Sequence, residues 1–241
     1  MNAYLKKIPQ ENTKAAAAAF EEVFIQLHET LRGEKVSFEL LATGQNIAFC
    51  FTAPAAAAEV VSGQIYALAP DADILEVPDF TRKLGKNAKF VSSELSLNRN
   101  DLFPLKHYKE FEGDSLSGLL SVLSKCIPGE MVVVQVVVKS VKDSGFHHLK
   151  LNFRKKFDRF RHFFRLKYWF KRGLSKTIVE RIQQKTSGRL FKVNIRLASV
   201  SSESKIDPTV RLKALIGAMS NFNTLDLNQI KVGGIRRIID L

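Results

Sequence analysis

The segment Met131-Val-Val-Val-Gln-Val-Val-Val138 constrains the fold more than any other stretch of the chain. Seven of its eight residues are apolar and six are valine. Branching at Cβ suits a pleated strand and crowds a helix, so the run predicts a strand. Two more strands are legible upstream, Val36 to Ala42 and Ile47 to Phe51, joined by Thr43-Gly44-Gln45-Asn46 as a hairpin turn. In the first of them Phe38, Leu40 and Ala42 alternate with Glu39 and Leu41, the pattern of a half-buried strand.

Helical periodicity surrounds these strands. Thr13 to Leu31 places Phe20, Val23, Phe24, Leu27 and Leu31 three and four apart, and Gly33 ends it. Pro54 opens a second helix through Val60, Val61, Ile65 and Leu68, which Pro70-Asp71 stops before a strand at Ile74 to Val77. The order then returns. Asp114 or Ser115 caps a helix through Leu119, Leu120 and Leu123, ended by Pro128-Gly129 ahead of the valine strand. A helix over Leu174 to Lys185, a strand over Phe191 to Val200, a helix from Pro208 through Met219 and a segment from Leu225 to Val232 follow.

Each half thus reads helix, strand, strand, helix, strand. Pro54 and Gly63 stand nine apart in one half, and Pro208 and Gly217 stand nine apart in the other. The expected fold is α+β: two tandem split-βαβ, ferredoxin-like repeats with helices on one sheet face. Residues 1–12, polar and carrying Pro9, read as an N-terminal arm. Residues 13–113 form the first repeat and a connection that includes a strand at Phe90 to Leu97. Residues 114–232 form the second repeat, and 233–241 read as a linker toward a further C-terminal domain.

The second repeat differs by an insert, residues 146–173, between its first two strands. The net charge is +13, yet ten Lys/Arg against Asp158 put +9 of it between Lys150 and Arg172, leaving +4 for the other 218 residues. At 100° per residue Phe153, Phe157, Phe160, Phe164 and Tyr168 fall within about one 80° stripe of a helix. Lys150, Arg154, Lys155, Lys156, Arg159, Arg161, Arg165, Lys167, Lys171 and Arg172 supply the cations, and Trp169 adjoins the stripe. A continuous helix here is about 35 Å long. Three readings stay open. The stripe packs on the protein itself or another subunit; or it enters an anionic membrane, with Tyr168 and Trp169 at the interface; or the cations neutralise nucleic-acid phosphates without reading sequence.

No catalytic constellation is visible. Gly85-Lys86 lacks the partner glycine and hydroxyl of a phosphate loop, and G-x-S-x-G and G-x-G-x-x-G are absent. His147-His148 cannot share a helix face, no H-E-x-x-H or C-x-x-C points to a metal, and His28, His107 and His162 stand alone. Glu21-Glu22 and the acids Glu110, Glu112 and Asp114 read as helix-end and surface charge. Cys50 and Cys126 read as reduced core thiols. No catalytic residue, metal or cofactor is therefore assigned, and an independent enzyme is not expected. Apolar runs such as Ala15 to Phe20 and Met131 to Val134 fall far short of the ~20 residues of a membrane span. No secretory signal follows Met1, so a cytoplasmic location is expected.

Several stretches carry a family resemblance. They are Val36-Ser-Phe-Glu-Leu, Gly63-Gln-Ile-Tyr-Ala-Leu-Ala-Pro-Asp-Ala-Asp-Ile74, Phe103-Pro-Leu-Lys and Asp114-Ser-Leu-Ser-Gly-Leu-Leu-Ser-Val-Leu-Ser-Lys. Gly129-Glu-Met-Val-Val-Val-Gln135, Phe191-Lys-Val-Asn-Ile-Arg196, Phe222-Asn and Leu227-Asn228 continue the order. Together they resemble the N-terminal, non-motor region of bacterial type IV secretion or conjugation ATPases, the TraG/TraD-like and HerA/FtsK-like class. The resemblance implies a region preceding a P-loop motor at the inner face of the membrane, with homo-oligomeric assembly. The motor itself is not among these residues, so no catalytic position carries over. The function expected is a non-catalytic assembly and docking domain that meets other subunits, a membrane or DNA through the basic aromatic insert. The alternative is a stand-alone, sequence-nonspecific nucleic-acid-binding protein.

Overall fold

A computed structural model describes residues 2–5, 13–30, 33–44, 46–68, 70, 72–77, 88–141, 176–203 and 206–238. In chain order the strands are β1 (Asn2–Leu5), β2 (Lys35–Thr43), β3 (Asn46–Thr52), β4 (Ile74–Glu76), β5 (Lys89–Leu97), β6 (Glu130–Ser140), β7 (Phe191–Ser201), β8 (Ile230–Val232) and β9 (Arg236–Ile238). The helices are α1 (Thr13–Thr30), α2 (Ala55–Leu68), α3 (Ser117–Leu123), α4 (Lys176–Ser187) and α5 (Pro208–Met219). The architecture is α+β.

The valine run lies within β6, where its alternation sets the two faces of one continuous antiparallel sheet. Val132, Val134 and Val138 are buried under the helices, while Val133, Gln135 and Val137 face the other way. Strand order is β4-β1-β3-β2-β6-β7-β5-β8, with β9 also on β5. Read inward from the two edges, the order is β4-β1-β3-β2 on one side and β8-β5-β7-β6 on the other. The halves join where β2 pairs with β6, from Lys35 opposite Lys139 to Thr43 opposite Met131.

Two cores lie on the same side of the sheet. Val23 and Leu27 of α1 and Ala58 and Val61 of α2 pack with Val36, Phe51 and Val138. Phe24 sets its ring edge-on to Phe38 and Phe191, with centroids 5.5 and 5.7 Å away. Leu119 and Leu123 of α3 and Leu212 and Leu215 of α5 pack with Val132, Val134 and Leu197. Fully burying each such side chain stabilises the fold by about 1.5–3 kcal/mol, which offsets the chain entropy these elements lose.

Local chemistry sets several boundaries. Thr43 opposes Asn46 across the hairpin turn, and Gly44 takes the left-handed φ of 58° that a side chain disfavours. The Asp207 carboxylate accepts from the Thr209 N–H at 2.9 Å with Pro208 in the first turn of α5, and bonding from Thr209 holds its pKa below the ordinary value. Asp114, expected as a cap, bonds the Leu116 N–H at 2.9 Å instead, turning the chain just before α3.

Three expectations about organisation change. The N-terminal arm contains a strand: β1 lies between β3 and β4, placing Tyr4 opposite Cys50 and Leu75. Four residues are too few to show a period, and their ladder partners are distant in sequence. The Phe90–Leu97 strand, read as part of the first unit's connection, pairs only with β7, β8 and β9 and so lies in the second half of the sheet. Gly233-Gly234, read as the start of a linker, joins β8 to β9 along the sheet edge. The Gly233 N–H donates to the Glu94 carbonyl at 2.8 Å, and a Cβ at Gly233 would lie 2.6 Å from that oxygen, so only glycine fits.

Asn228, fully buried, ties this edge to the loop after β5. Its amide donates to the carbonyls of Asn100 at 3.1 Å and Phe103 at 2.9 Å, and its oxygen accepts from the N–H groups of Arg99 and Gln229. Asn228→Asp keeps the shape but turns a carboxylate toward two carbonyl oxygens. A loss of about 2–3 kcal/mol is expected, read as a lower urea midpoint at pH 7 with an unchanged slope; an unaltered midpoint refutes the role assigned to Asn228.

Candidate functional site

The cations Lys150, Arg154, Lys155, Lys156, Arg159, Arg161, Arg165, Lys167, Lys171 and Arg172, and the aromatics Phe153, Phe157, Phe160, Phe164, Tyr168 and Trp169, lie outside the described residues. The frame around them is described. The insert falls between β6 and β7, neighbouring strands near the middle of the sheet. The Val141 N–H donates to the Leu190 carbonyl at 3.1 Å, extending the β6–β7 ladder at that end. His28 of α1 places Nε2 3.1 Å from the Val141 carbonyl and stands edge-on to Phe191, while its buried Nδ1 has no hydrogen-bond partner.

Helix α4 follows the insert and is pinned at several points. Arg181 pairs with Glu110 at 2.8 Å, Ile182 is buried, and the Lys185 ammonium donates to the Asp101 carbonyl. Burial lowers the Lys185 pKa, with Asp101 opposing. Just after α4, Arg189 pairs with Glu29 of α1. The described chain before the insert is thus held in the sheet as far as Val141, and from Lys176 it resumes in the pinned helix α4.

The same end of the sheet carries a feature the sequence reading missed. Lys35 of β2 lies directly opposite Lys139 of β6, which lies directly opposite Lys192 of β7. All three are exposed. They are far apart in sequence, and no local pattern marks them; register alone aligns them.

The carboxylates considered from sequence are not gathered into a site. Glu21 stands 4.0 Å from His107 Nε2 on the surface, Glu110 pairs with Arg181, and Asp114 serves the turn before α3. Two other acids are buried. Glu39, read as an outward strand position, accepts from Ser37 Oγ at 2.6 Å and Gln135 Nε2 at 3.0 Å. Glu130 accepts from Arg211 Nε at 3.1 Å and from the Ile127 N–H at 3.1 Å, and Arg211 also donates to the Lys125 carbonyl. Removing either partner of that pair strands a buried charge, so it fixes α5 to the turn before β6. His147, His148 and His162 lie outside the described residues. Among the described residues no group of three or more His, Cys, Asp or Glu is arranged for a metal, and no helix is long and apolar enough to cross a membrane.

The profile of a family described as a domain of unknown function (DUF8128) matches residues 11–232, and the chain belongs to that family. No curated protein matches the chain.

Cys50 and Cys126 are free thiols, the first partly and the second fully buried. Burial, reinforced by the nearby Glu39 charge, pushes the Cys50 thiol up to about 11. Burial also raises Cys126, helped by Glu130 and opposed by Arg211. A raised thiol pKa means that the unfolded state loses its proton first as pH rises. The Cys50 contribution is therefore complete below about pH 9 and is lost between pH 9 and about 11. Cys50→Ala should flatten the fall in urea midpoint across that window relative to the parent chain. Parallel curves for the two proteins refute a buried, neutral Cys50.

Proposed function

We propose that this DUF8128 member is a non-catalytic docking domain of a secretion-type ATPase assembly, made of two ferredoxin-like repeats that hold a basic aromatic insert against an anionic surface. The duplication is supported by the matching strand orders β4-β1-β3-β2 and β8-β5-β7-β6, each with the element order strand, helix, strand, strand, helix, strand apart from the insert region. Pro54 precedes α2 and Pro208 opens α5, and Gly63 and Gly217 follow nine residues later in the paired helices.

The observation that carries the functional reading is where the charge is inserted. A segment holding +9 between Lys150 and Arg172 lies in the connection that leaves β6 and leads through α4 into β7, the strand beside β6 inside the sheet. Strands so placed move little, so they orient an insert better than a free tail would. Cations together with Tyr168 and Trp169 suit an anionic bilayer surface, and the resemblance to secretion ATPases places such a surface at the inner face of the membrane. The partners of this reading are that surface and other subunits of the assembly. The domain brings no chemistry of its own, and a motor elsewhere supplies the work.

The test is a five-residue variant, Arg154, Lys155, Arg159, Arg161 and Arg165 all to Gln, in the full chain. Each cation near an anionic bilayer contributes about 1 kcal/mol, so the five together should lower affinity for phosphatidylserine-containing vesicles by about three to four orders of magnitude. Parent and variant pelleting equally with such vesicles sinks the docking reading.

A further inference from the structure

The two cores and their helices α1, α2, α3 and α5 lie on one face of the sheet. Charge is divided unevenly between that face and the other. Val36, Val91, Leu95, Val138 and Leu197 are buried in the cores, so residues in the alternate strand phase point away from the helices. Lys35 on β2, Lys139 on β6, and Lys192 and Arg196 on β7 are in that phase. Register extends the set to the sheet edge, where Lys231 of β8 lies opposite Ser96 and Arg236 of β9 opposite Ser92. All six cations are exposed.

Two carboxylates share the face. Glu39 accepts from Ser37 and Gln135, and Glu94 accepts from Asn194. Setting these two against the six cations leaves the strand positions of the face at +4. On the other side, the exposed acids Glu21, Glu22 and Glu29 of α1 and Glu59 of α2 belong to the helix layer. The domain therefore has a cationic side, and an anionic surface orients such a body.

The layout of the cations decides the class of partner. From β2 across β6, β7 and β5 to the edge is four strand spacings, about 19 Å. Along the strands, the row of Lys192 and the row of Arg236 are six residues apart, about 20 Å. Cations spread over an area of that size meet a plane of anionic headgroups together, whereas one polynucleotide strand follows a line and reaches only some of them. The residues in register with Arg196, Lys231 and Arg236 are Gln135, Glu94, Ser96 and Ser92, which offer no ring on which bases stack. The chain also leaves β6 toward the basic insert through Val141, two residues beyond Lys139, so the insert begins at the cationic row.

We propose that the face of the sheet turned away from the helices is the membrane-facing side of the domain, with Lys35, Lys139, Lys192, Arg196, Lys231 and Arg236 meeting the headgroups of an anionic bilayer. The proposal rests on the docking reading and gives it an orientation. The sheet lies along the bilayer, and α1 and α2 with their acids lie on the far side, where repulsion from the headgroups is most screened.

The experiment is co-sedimentation of the full chain with phosphatidylserine/phosphatidylcholine vesicles at about 100 mM salt. Each cation near such a surface is worth about fivefold in affinity. Lys139→Gln/Lys192→Gln/Arg196→Gln/Lys231→Gln should therefore weaken binding by about two to three orders of magnitude. Lys106→Gln/Lys109→Gln/Lys125→Gln/Lys213→Gln removes the same net charge from α5 and from the segments on either side of α3, and should bind within about threefold of the parent. Lys139→Gln alone, a single exposed change, should weaken binding about fivefold with an unchanged urea midpoint, and Lys139→Arg should bind like the parent.

Parent-like vesicle binding by the quadruple face variant overturns the proposal. An equal loss in the helix-side variant also overturns it, because net charge and not a face would then be read. So does a face variant that loses only binding to a 30-nucleotide oligo-dT, which would make nucleic acid the occupant. The five-residue insert variant separates the two proposals. If it loses vesicle binding while the face variant does not, the orientation falls and the docking reading stands. If only the face variant loses binding, the face stands and docking through the insert falls; a parent chain that ignores anionic vesicles removes both.

Discussion

The pairing of β2 with β6 is the interaction on which the rest depends. Nine opposed residue pairs run from Lys35–Lys139 to Thr43–Met131 and join a four-stranded half and a five-stranded half into one sheet. Without that ladder each half would expose a long edge strand rich in unpaired backbone groups, a template for aggregation. At its midpoint Glu39 opposes Gln135, and the amide of Gln135 donates to the carboxylate at 3.0 Å. A buried carboxylate held by two neutral donors does little for overall stability. It does specify register, because a slip of one residue would strand the charge and reverse both faces of β2.

The seam also sets the layout around it. Making β2 and β6 central puts the exit of the insert beside the middle of the sheet rather than at a free edge. It leaves only short segments outermost, β4 with three residues on one side and β8 and β9 with three each on the other. Short edge strands and the glycine-bearing junction at Gly233 limit pairing with further chains. Buried polar anchors then lock the periphery. Asn228 holds the loop after β5, and Glu130 with Arg211 holds α5 against the turn before β6. These groups are saturated by local partners, which makes them structural.

Much of this was legible in the chain itself, for identifiable reasons. Met131–Val138 announced a strand because β-branched residues fill a pleated surface, and Thr43-Gly44-Gln45-Asn46 announced a hairpin because a tight turn needs a left-handed residue. Leu212, Leu215 and Met219, spaced three and four apart, announced the buried face of α5. Asn2–Leu5 was illegible because four residues have no period and take their hydrogen bonds from β3 and β4. Gly233 looked like a linker because glycine pairs occur in flexible segments; its actual cause is the Glu94 carbonyl, which no local pattern reveals. Glu39 looked solvent-facing because alternation gives a side chain's phase but not what covers each face.

The sequence by itself determined most of the elements and their order, the concentration of charge between Lys150 and Arg172, and the apolar stripes that had to be buried. Those are local properties, fixed by side-chain shape and spacing along a few turns or strand repeats. The tertiary structure alone decided which strands are neighbours, that β5 serves the second half, and that Lys35, Lys139 and Lys192 stand in one row. Register is a property of pairs of distant segments. Its selection depends on the summed burial and hydrogen bonding of the whole sheet, which no single segment contains.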